Sequence, residues 1–577
     1  MEIILLSLSE CETFRSFIQE FKIKSDENKF AIGTSDFKDI IQKGSTYVDK
    51  TLFIKEVMED HAKVILFTRP RRFGKTLNMS MLECFLKIAV EDLFSGLHIK
   101  NHPEFCLKHQ NKYPVIFLTF KDVKFDDFPT AYNKIKGIFA SLYEDHKYLL
   151  DGDLLSVFER ENFEKIRGKT VDDFNELGST LSNLMKYFHK YYGIPAIVLL
   201  DEYDTPIQEA YLKEYYDKMI GFMRNLLGSA LKDNQDLGKA ILTGITRVSQ
   251  ESLFSGLNNV RVYTMLDPDY GQYFGFTEEE VIKLLPEKAD ITPIRDWYNG
   301  YKIGHHRVYN PWSITSYLQT HQKLDVYWLS TSDNALVETL IEEQMDLRED
   351  FENLLQGIPS EQILERSLTF PRIKTSPDAV WTLLIHTGYL HVLESSVDRT
   401  GKVKATIAIP NVEIRSLFIG MIENWFVPKG KSLNYYRDFI KKFLAGDIED
   451  FSEHIENYIT AFSYFDFDKR RPEKIYHSFM TGLFIGLEET HEVTSNREGG
   501  KGRYDIRIAP RDGKGRGFLL EFKTAPQESL LDEYAQKALA QIAEKDYAAG
   551  MKASEIISIG MAFCGEKVKT VHKDECK

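Results

Sequence analysis

Five cysteines serve 577 residues, and Cys11, Cys84, Cys106, Cys564 and Cys576 share no C-x-x-C spacing. That scatter disfavours both a disulfide framework and a structural zinc site. Long hydrophobic runs are missing too, since nothing approaches the roughly 20 apolar residues that cross a bilayer. The short stretch Ile3-Ile4-Leu5-Leu6-Ser7-Leu8 follows Glu2 and precedes Glu10 and Glu12, without the basic flank of a secretory leader. A cytoplasmic protein with no membrane partner is expected. Positive charge is also in deficit: the formal net charge is −14. A generally basic nucleic-acid coat is thereby excluded, and any grip on a polyanion must be local. Low-complexity tracts and solenoid-period repeats are absent. What remains is a long chain, 43% hydrophobic, too large for one core and expected to form two to four domains.

The first chemistry-bearing segment lies near residue 70. Val64-Ile65-Leu66-Phe67-Thr68 reads as a buried strand, and Leu77, Met81, Leu82 and Phe85 mark one face of a following helix. Between them runs Arg69-Pro70-Arg71-Arg72-Phe73-Gly74-Lys75-Thr76. A phosphate cradle needs backbone N–H groups at a helix N-terminus, a Lys for the terminal phosphates and a hydroxyl for Mg²⁺. Gly74, Lys75 and Thr76 supply these. Arg69 stands where G-x-x-x-x-G-K-[ST] begins with Gly. Arg69, Arg71 and Arg72 are therefore candidates for phosphate contact through side chains, beside a loop stiffened by Pro70.

A second element fits the first. Ile197-Val198-Leu199-Leu200 ends in Asp201-Glu202, as in a Walker B strand, where Asp201 would hold Mg²⁺ through water and Glu202 would polarise an attacking water. By itself the segment reads equally as a buried strand ending in solvated acids. The upstream Gly-Lys-Thr tips the balance towards ATP. A further strand, Ala240 to Arg247, offers Thr243, Thr246 or Arg247 as a γ-phosphate sensor, or as ordinary strand-end polar residues.

The third segment is C-terminal. In Leu519-Leu520-Glu521-Phe522-Lys523, Glu521 and Lys523 are two apart and share a strand face, with Leu520 and Phe522 directed into a core. The Gly-rich, charged stretch 510–517 reads as a hairpin turn that returns this strand beside Tyr504-Asp505-Ile506 and brings Asp505 to the same spot. Two carboxylates suit Mg²⁺ or Mn²⁺, and a neighbouring Lys can orient water or stabilise transition-state charge. The bland alternative is a solvated antiparallel pair, since E-x-K triplets are common in a chain that is 28% charged. The apolar neighbours of both carboxylates weigh against it.

This trio resembles the active site of the PD-(D/E)xK nuclease superfamily, with Asp505 as its metal-binding Asp, Glu521 as its acidic residue and Lys523 as its Lys; Tyr504 replaces the Pro of the motif's name. The likeness to RecB-type members implies that Gln541, on a helix ending near Tyr547, supports the site. Glu473 and His477 stand where such nucleases carry an upstream helical Glu.

The N-terminal segments resemble a bacterial AAA-ATPase-like family whose members commonly end in a PD-(D/E)xK-type domain. The likeness includes Tyr47-Val48-Asp49-Lys50-Thr51, the R-P-R-R-F-G-K-T form of the loop, Gly244-Ile245-Thr246-Arg247-Val248-Ser249 and Phe254-Ser255-Gly256-Leu257-Asn258-Asn259. It continues through Trp297-Tyr298-Asn299-Gly300-Tyr301 and Tyr309-Asn310-Pro311-Trp312-Ser313. It runs from about residue 31 almost to the end. It implies an α/β chain: an extension over 1–30, a P-loop NTPase-type parallel sheet with helices on both faces over 31–260, a helical lid and middle region over 261–430, and a restriction-endonuclease-like α/β domain over 431–577. The aromatic middle motifs read as core rather than a base-stacking surface, and a helix is expected from residue 278 behind Thr277. His386 reads as a packed residue and 427–432 as a linker.

The expected activity is a Mg²⁺-dependent nuclease, with DNA as substrate, carrying a regulatory ATP-binding domain; a homo-oligomer is compatible with it. Two alternatives stay open: a nucleotide-dependent switch or scaffold that binds nucleic acid or protein without cutting, and an active nuclease beside an inert P-loop.

Overall fold

The computed structural model describes residues 29–576 except 32, 90, 247–258, 329–336, 338–339, 341–346, 366–367, 369, 374, 426, 428–430, 463–471, 485 and 488–489. Nearly all of the 1–30 extension, Arg247 and the motif stretch 254–258 thus lie outside the described residues. The chain divides into two compact units, Met1–Leu340 with Glu361–Glu413, and Ile341–Ser360 with Ile414–Lys577.

The first unit is built on five parallel strands, β1 (Val64–Thr68), β2 (Val115–Thr119), β3 (Ala196–Asp201), β4 (Leu237–Gly244) and β5 (Val260–Tyr263), in the order β2-β3-β4-β1-β5. Every residue of β1 and β3 is buried. Helices cover such strands, which is why they read as unbroken apolar runs rather than alternation. Helix α1 (Lys75–Leu86) starts directly after Gly74, whose φ of 81° makes the sharp turn out of the loop. Because β4 lies between β1 and β3, the carboxyl ends of three strands meet where ligands bind in open α/β sheets.

The middle of the chain is helical as expected, and also carries two small sheets. Strands β6 (Phe276–Thr277), β7 (Tyr301–Ile303) and β8 (His306–Tyr309) form one, with α2 (Glu278–Leu284) and α3 (Pro311–Gln319). Thr277 and Glu280 form a capping box that starts α2. Tyr298 and Tyr309 are fully buried beside Val281 and Ile314, so these tyrosines of the aromatic motifs are core. Strands β9 (Ser360–Leu364), β10 (His391–Val397) and β11 (Val403–Ala408) form the other sheet, and α4 (Pro377–Thr387) buries His386.

The second unit holds helices α5 (Leu433–Leu444), α6 (Ile448–Phe462) and α7 (Pro472–Leu483) and strands β12 (His491–Ser495), β13 (Glu498–Gly499), β14 (Gly502–Arg503), β15 (Ile506–Pro510) and β16 (Arg516–Thr524). Helix α8 (Leu531–Lys545) and strands β17 (Glu555–Cys564) and β18 (Lys567–Cys576) complete it. Its main sheet has the order β12-β15-β16-β17-β18, antiparallel except for β16 with β17. The expected hairpin is β15–β16. Alternation along β16 sends Phe518 against Phe443 of α5, with ring centroids 4.4 Å apart, and Leu519 against Ile542 of α8. Both faces are therefore covered, and the Glu521 face lies beneath α8 rather than in solvent.

Candidate active sites

In the first unit a cavity of about 530 Å³ opens at the ends of β1 and β3, lined among others by Arg71, Arg72, Gly74, Lys75, Thr76 and Glu202. Lys75 is buried, and its ammonium donates to the carbonyls of Arg69 (3.0 Å) and Pro70 (2.8 Å). Burial lowers its pKa, with Glu202 and Asp201 opposing. Thr76 Oγ1 donates to Asp201 Oδ2 (2.7 Å), and Thr243 donates to the other oxygen. Burial pushes the Asp201 carboxylate above its ordinary range, and these two bonds offset part of the rise. Glu202 and Arg72 hold positive φ, 51° and 67°, which non-glycine residues rarely adopt. Both line the cavity, where such strain concentrates at working sites. The Arg72 guanidinium stacks 4.5 Å from the Trp312 ring, and Trp312 lines the same cavity.

In the second unit the antiparallel register Ile506↔Leu520, extended by one residue, sets Asp505 opposite Glu521. Asp505 sits in a bend just before β15, where its carboxylate accepts the Phe522 N–H (2.7 Å) in place of a ladder partner. Glu521 is 3% exposed. Gln541 on α8 donates to its Oε1, and the Lys523 ammonium lies 3.4 Å from the same oxygen. Oε2 is buried without a hydrogen-bond partner among the described residues. Burial first, then the charge of Asp505, lifts the Glu521 carboxyl to about 7. An acid so placed is short of positive charge. Two carboxylates are a donor set that suits a hard divalent cation. Among the described residues no three His, Cys, Asp or Glu side chains form a metal-binding group, so such an ion would draw its remaining ligands from water or backbone oxygens. Around this pair, His477 Nε2 donates to the Asp505 carbonyl (3.1 Å), Gln541 donates to the Tyr547 hydroxyl (3.3 Å), and that hydroxyl donates to the Arg503 carbonyl (2.7 Å).

Comparison with known proteins accords with both geometries. Residues 31–254 match the family model described as predicted AAA-ATPase, and residues 471–573 match that of the PD-(D/E)XK nuclease superfamily. The chain joins a predicted AAA-ATPase domain to a C-terminal PD-(D/E)XK nuclease superfamily domain. It is also similar to an uncharacterized protein encoded in the vnfD 5′ region of Azotobacter chroococcum mcd 1, 26% identical over 534 residues, covering 90% of this chain and 93% of that one. Among the described residues no helix is long and apolar enough to cross a membrane.

Within the AAA-ATPase domain, Arg71, Arg72, Gly74, Lys75, Thr76 and Glu202 gather at the cavity, with Asp201 behind Thr76. Arg69 is placed elsewhere. Its guanidinium is fully buried, donates to the carbonyls of Thr68 and Tyr263, and stacks on Phe274 at 5.1 Å. It ties β1 to β5, and burial lowers its pKa to about 9. Thr243 and Thr246 also face inward, donating to Asp201 and Asp204, and neither lines the cavity. Asp204, passed over in the sequence, is buried and accepts the N–H groups of Ile245 and Thr246 and an amide hydrogen of Gln208. The signal for it was the acid three residues beyond Asp201, repeated in Asp201-Glu202-Tyr203-Asp204. Within the nuclease superfamily domain, Asp505, Glu521, Lys523 and Gln541 converge, and His477 reaches the Asp505 backbone. Glu473 lies on α7, with its side chain outside the described residues.

Proposed function

We propose that the C-terminal domain hydrolyses phosphodiester bonds, with DNA as substrate, and that Asp505 and Glu521 hold Mg²⁺ or Mn²⁺ for that reaction. The observation that carries this reading is the buried, unpartnered Oε2 of Glu521, on a carboxyl whose pKa burial and the nearby charge of Asp505 raise. A divalent ion there would neutralise the two acids and supply Lewis-acid stabilisation of charge on the phosphate. Asp505 is oriented for this by the Phe522 N–H and Glu521 by Gln541. Lys523, 30% exposed, is placed to orient the incoming water and to offset charge as water adds to phosphorus and one ester P–O bond breaks. The products are a phosphomonoester and a hydroxyl. The N-terminal domain binds ATP, with Lys75 and Arg72 on the phosphates, Thr76 and Asp201 towards Mg²⁺, and Glu202 poised for hydrolysis; its role is regulation of cutting.

The test is incubation of the full-length protein with duplex DNA and Mg²⁺ beside Asp505→Ala and Lys523→Ala. Cutting by the parent alone supports the reading. Equal cutting by all three assigns the activity elsewhere. Retention of nucleic acid by the parent without cutting, and without dependence on Mg²⁺, favours a scaffold.

A further inference from the structure

Between β12 and β15 the chain makes a short excursion, Asn496 to Arg503, that the trio of Asp505, Glu521 and Lys523 does not require. Its two-residue strands β13 and β14 pair only with each other. So small a hairpin has no core of its own and is not independently stable in water. Here it is tied at three points to Asp505 and to the end of α8. The Asn496 N–H donates to the Asp505 carbonyl (3.0 Å), the Lys501 N–H to the Lys545 carbonyl at the end of α8 (2.7 Å), and the Tyr547 hydroxyl to the Arg503 carbonyl (2.7 Å). Gly500, at a φ of 57°, presses so close to the end of α8 that a Cβ would stand 2.2 Å from the Asp546 carbonyl oxygen. Any side chain at that position would lift the hairpin off.

The excursion holds the exposed cations Arg497, Lys501 and Arg503 against one acid, Glu498. Among the described residues none of the three cations pairs with a carboxylate. In a chain of net charge −14, a rigidly mounted group of unpaired cations is a local exception. Its position is specific. Arg503 is two residues ahead of Asp505, and its carbonyl connects through the Tyr547 hydroxyl and Gln541 to Glu521.

We propose that the hairpin from Asn496 to Arg503 is a phosphodiester-backbone clamp, in which Arg497, Lys501 and Arg503 grip phosphates flanking the bond presented to Asp505 and Glu521. The proposal rests on the nuclease reading of that site. Arginine suits bidentate phosphate contact, and lysine acts as a point charge. Such contacts position the strand without reading its sequence, so the clamp serves any base composition. DNA and RNA share this backbone chemistry.

The experiment measures initial cleavage rates of the full-length protein with Mg²⁺ on duplex DNA, single-stranded DNA and duplex RNA, at several salt concentrations. The parent is compared with the triple variant Arg497→Ala, Lys501→Ala, Arg503→Ala and with Arg497→Lys, Arg503→Lys, which keeps the charge. The triple variant is expected to raise KM for the preferred substrate at least about tenfold near 0.1 M salt, with kcat within about threefold. For duplex DNA the slope of log KM against log salt should fall by about 0.9 for each phosphate that the variant no longer neutralises. The lysine variant should recover most of the affinity. If the triple variant keeps both KM and salt slope while the parent cuts, the clamp is wrong and the nuclease reading stands. A loss confined to kcat would make the hairpin a structural prop and overturn the clamp. If the parent cuts none of the three substrates, the nuclease reading fails and the clamp fails with it.

Discussion

Thr76 Oγ1 donates a 2.7 Å hydrogen bond to Asp201 Oδ2, joining the first turn of α1 to the end of β3. With Lys75 turned onto the carbonyls of Arg69 and Pro70, the loop satisfies its own polar groups. ATP binding would exchange these internal partners for phosphate oxygens. Lys75→Ala is therefore expected to weaken ATP by about 2 to 3 kcal/mol, roughly 30- to 150-fold. Asp201→Asn should remove the Mg²⁺-dependent share of the affinity and leave metal-free binding nearly unchanged. Titration with a fluorescent ATP analogue, with and without Mg²⁺, checks both. Unchanged binding in Lys75→Ala would place the nucleotide outside this cavity.

The Arg72 guanidinium over Trp312 gives a second readout of the same cavity. The stacked pair lies at 4.5 Å, and a cation–π contact of this kind is worth about 0.5 to 2 kcal/mol, little enough for a triphosphate to outbid. ATP is expected to change intrinsic tryptophan fluorescence in the parent, and Trp312→Phe should abolish most of that change while keeping affinity within about threefold. Arg72→Ala should lower affinity by about tenfold. A signal that survives in Trp312→Phe would refute the assignment.

How much of this was legible beforehand follows from what each element must satisfy. Strands β1 and β3 are buried along their whole length, so their apolar runs announced them, and the Gly-Lys-Thr and Asp-Glu that follow marked the cavity. The β15–β16 hairpin, and with it the approach of Asp505, was legible through its turn, and Glu521 with Lys523 through period-two alternation. Arg69 was not, because a charged residue beside a phosphate loop reads as a ligand. Only the fold shows the carbonyls of Thr68 and Tyr263 that hold it inward. Thr243 and Thr246 were legible only as sensor or strand-end residues alike, and the buried oxygens of Asp201 and Asp204 claim their hydroxyls. Nor does local pattern reveal that α8 covers the Glu521 face. That depends on the parallel pairing of β16 with β17, a contact between segments that periodicity treats independently.

The carboxyl of Glu521 links pH to stability and, on the nuclease reading, to metal binding. Its pKa in the folded chain is raised from the ordinary 4.5 to about 7. The folded state therefore holds this proton more tightly than the unfolded chain. The stability it confers is complete below pH 4.5 and is lost as pH rises through 7. The loss is on the order of 3 kcal/mol. In EDTA, the melting temperature of the parent should fall more steeply between about pH 5 and pH 8 than that of Glu521→Gln, which cannot ionise. Mg²⁺ should act in the opposite sense, stabilising the parent increasingly as the carboxyl ionises and leaving the Gln variant unmoved. Parallel curves for the two proteins in EDTA would show that Glu521 is an ordinary carboxylate.

Gln541 and Lys523 reach the same oxygen of Glu521 and should nevertheless fail differently. Gln541 comes from α8, donates to Glu521 Oε1 and rests on Tyr547, so on the nuclease reading it would orient a metal ligand without touching substrate. Lys523 is partly exposed on the strand itself and, on the nuclease reading, would face the reacting phosphate. Gln541→Ala is expected to weaken Mg²⁺ binding about 10- to 100-fold, as loss of a residue that orients a metal ligand does, and part of the lost rate should return at high Mg²⁺. Gln541→Glu crowds a second acid against Glu521 and should raise the pH at which metal binds. Lys523→Ala should leave the Mg²⁺ requirement within about threefold and lower kcat by about a hundredfold or more, with no recovery at any metal concentration. Rates measured against Mg²⁺ concentration separate the two. If added Mg²⁺ rescues Lys523→Ala and not Gln541→Ala, the roles assigned here are reversed.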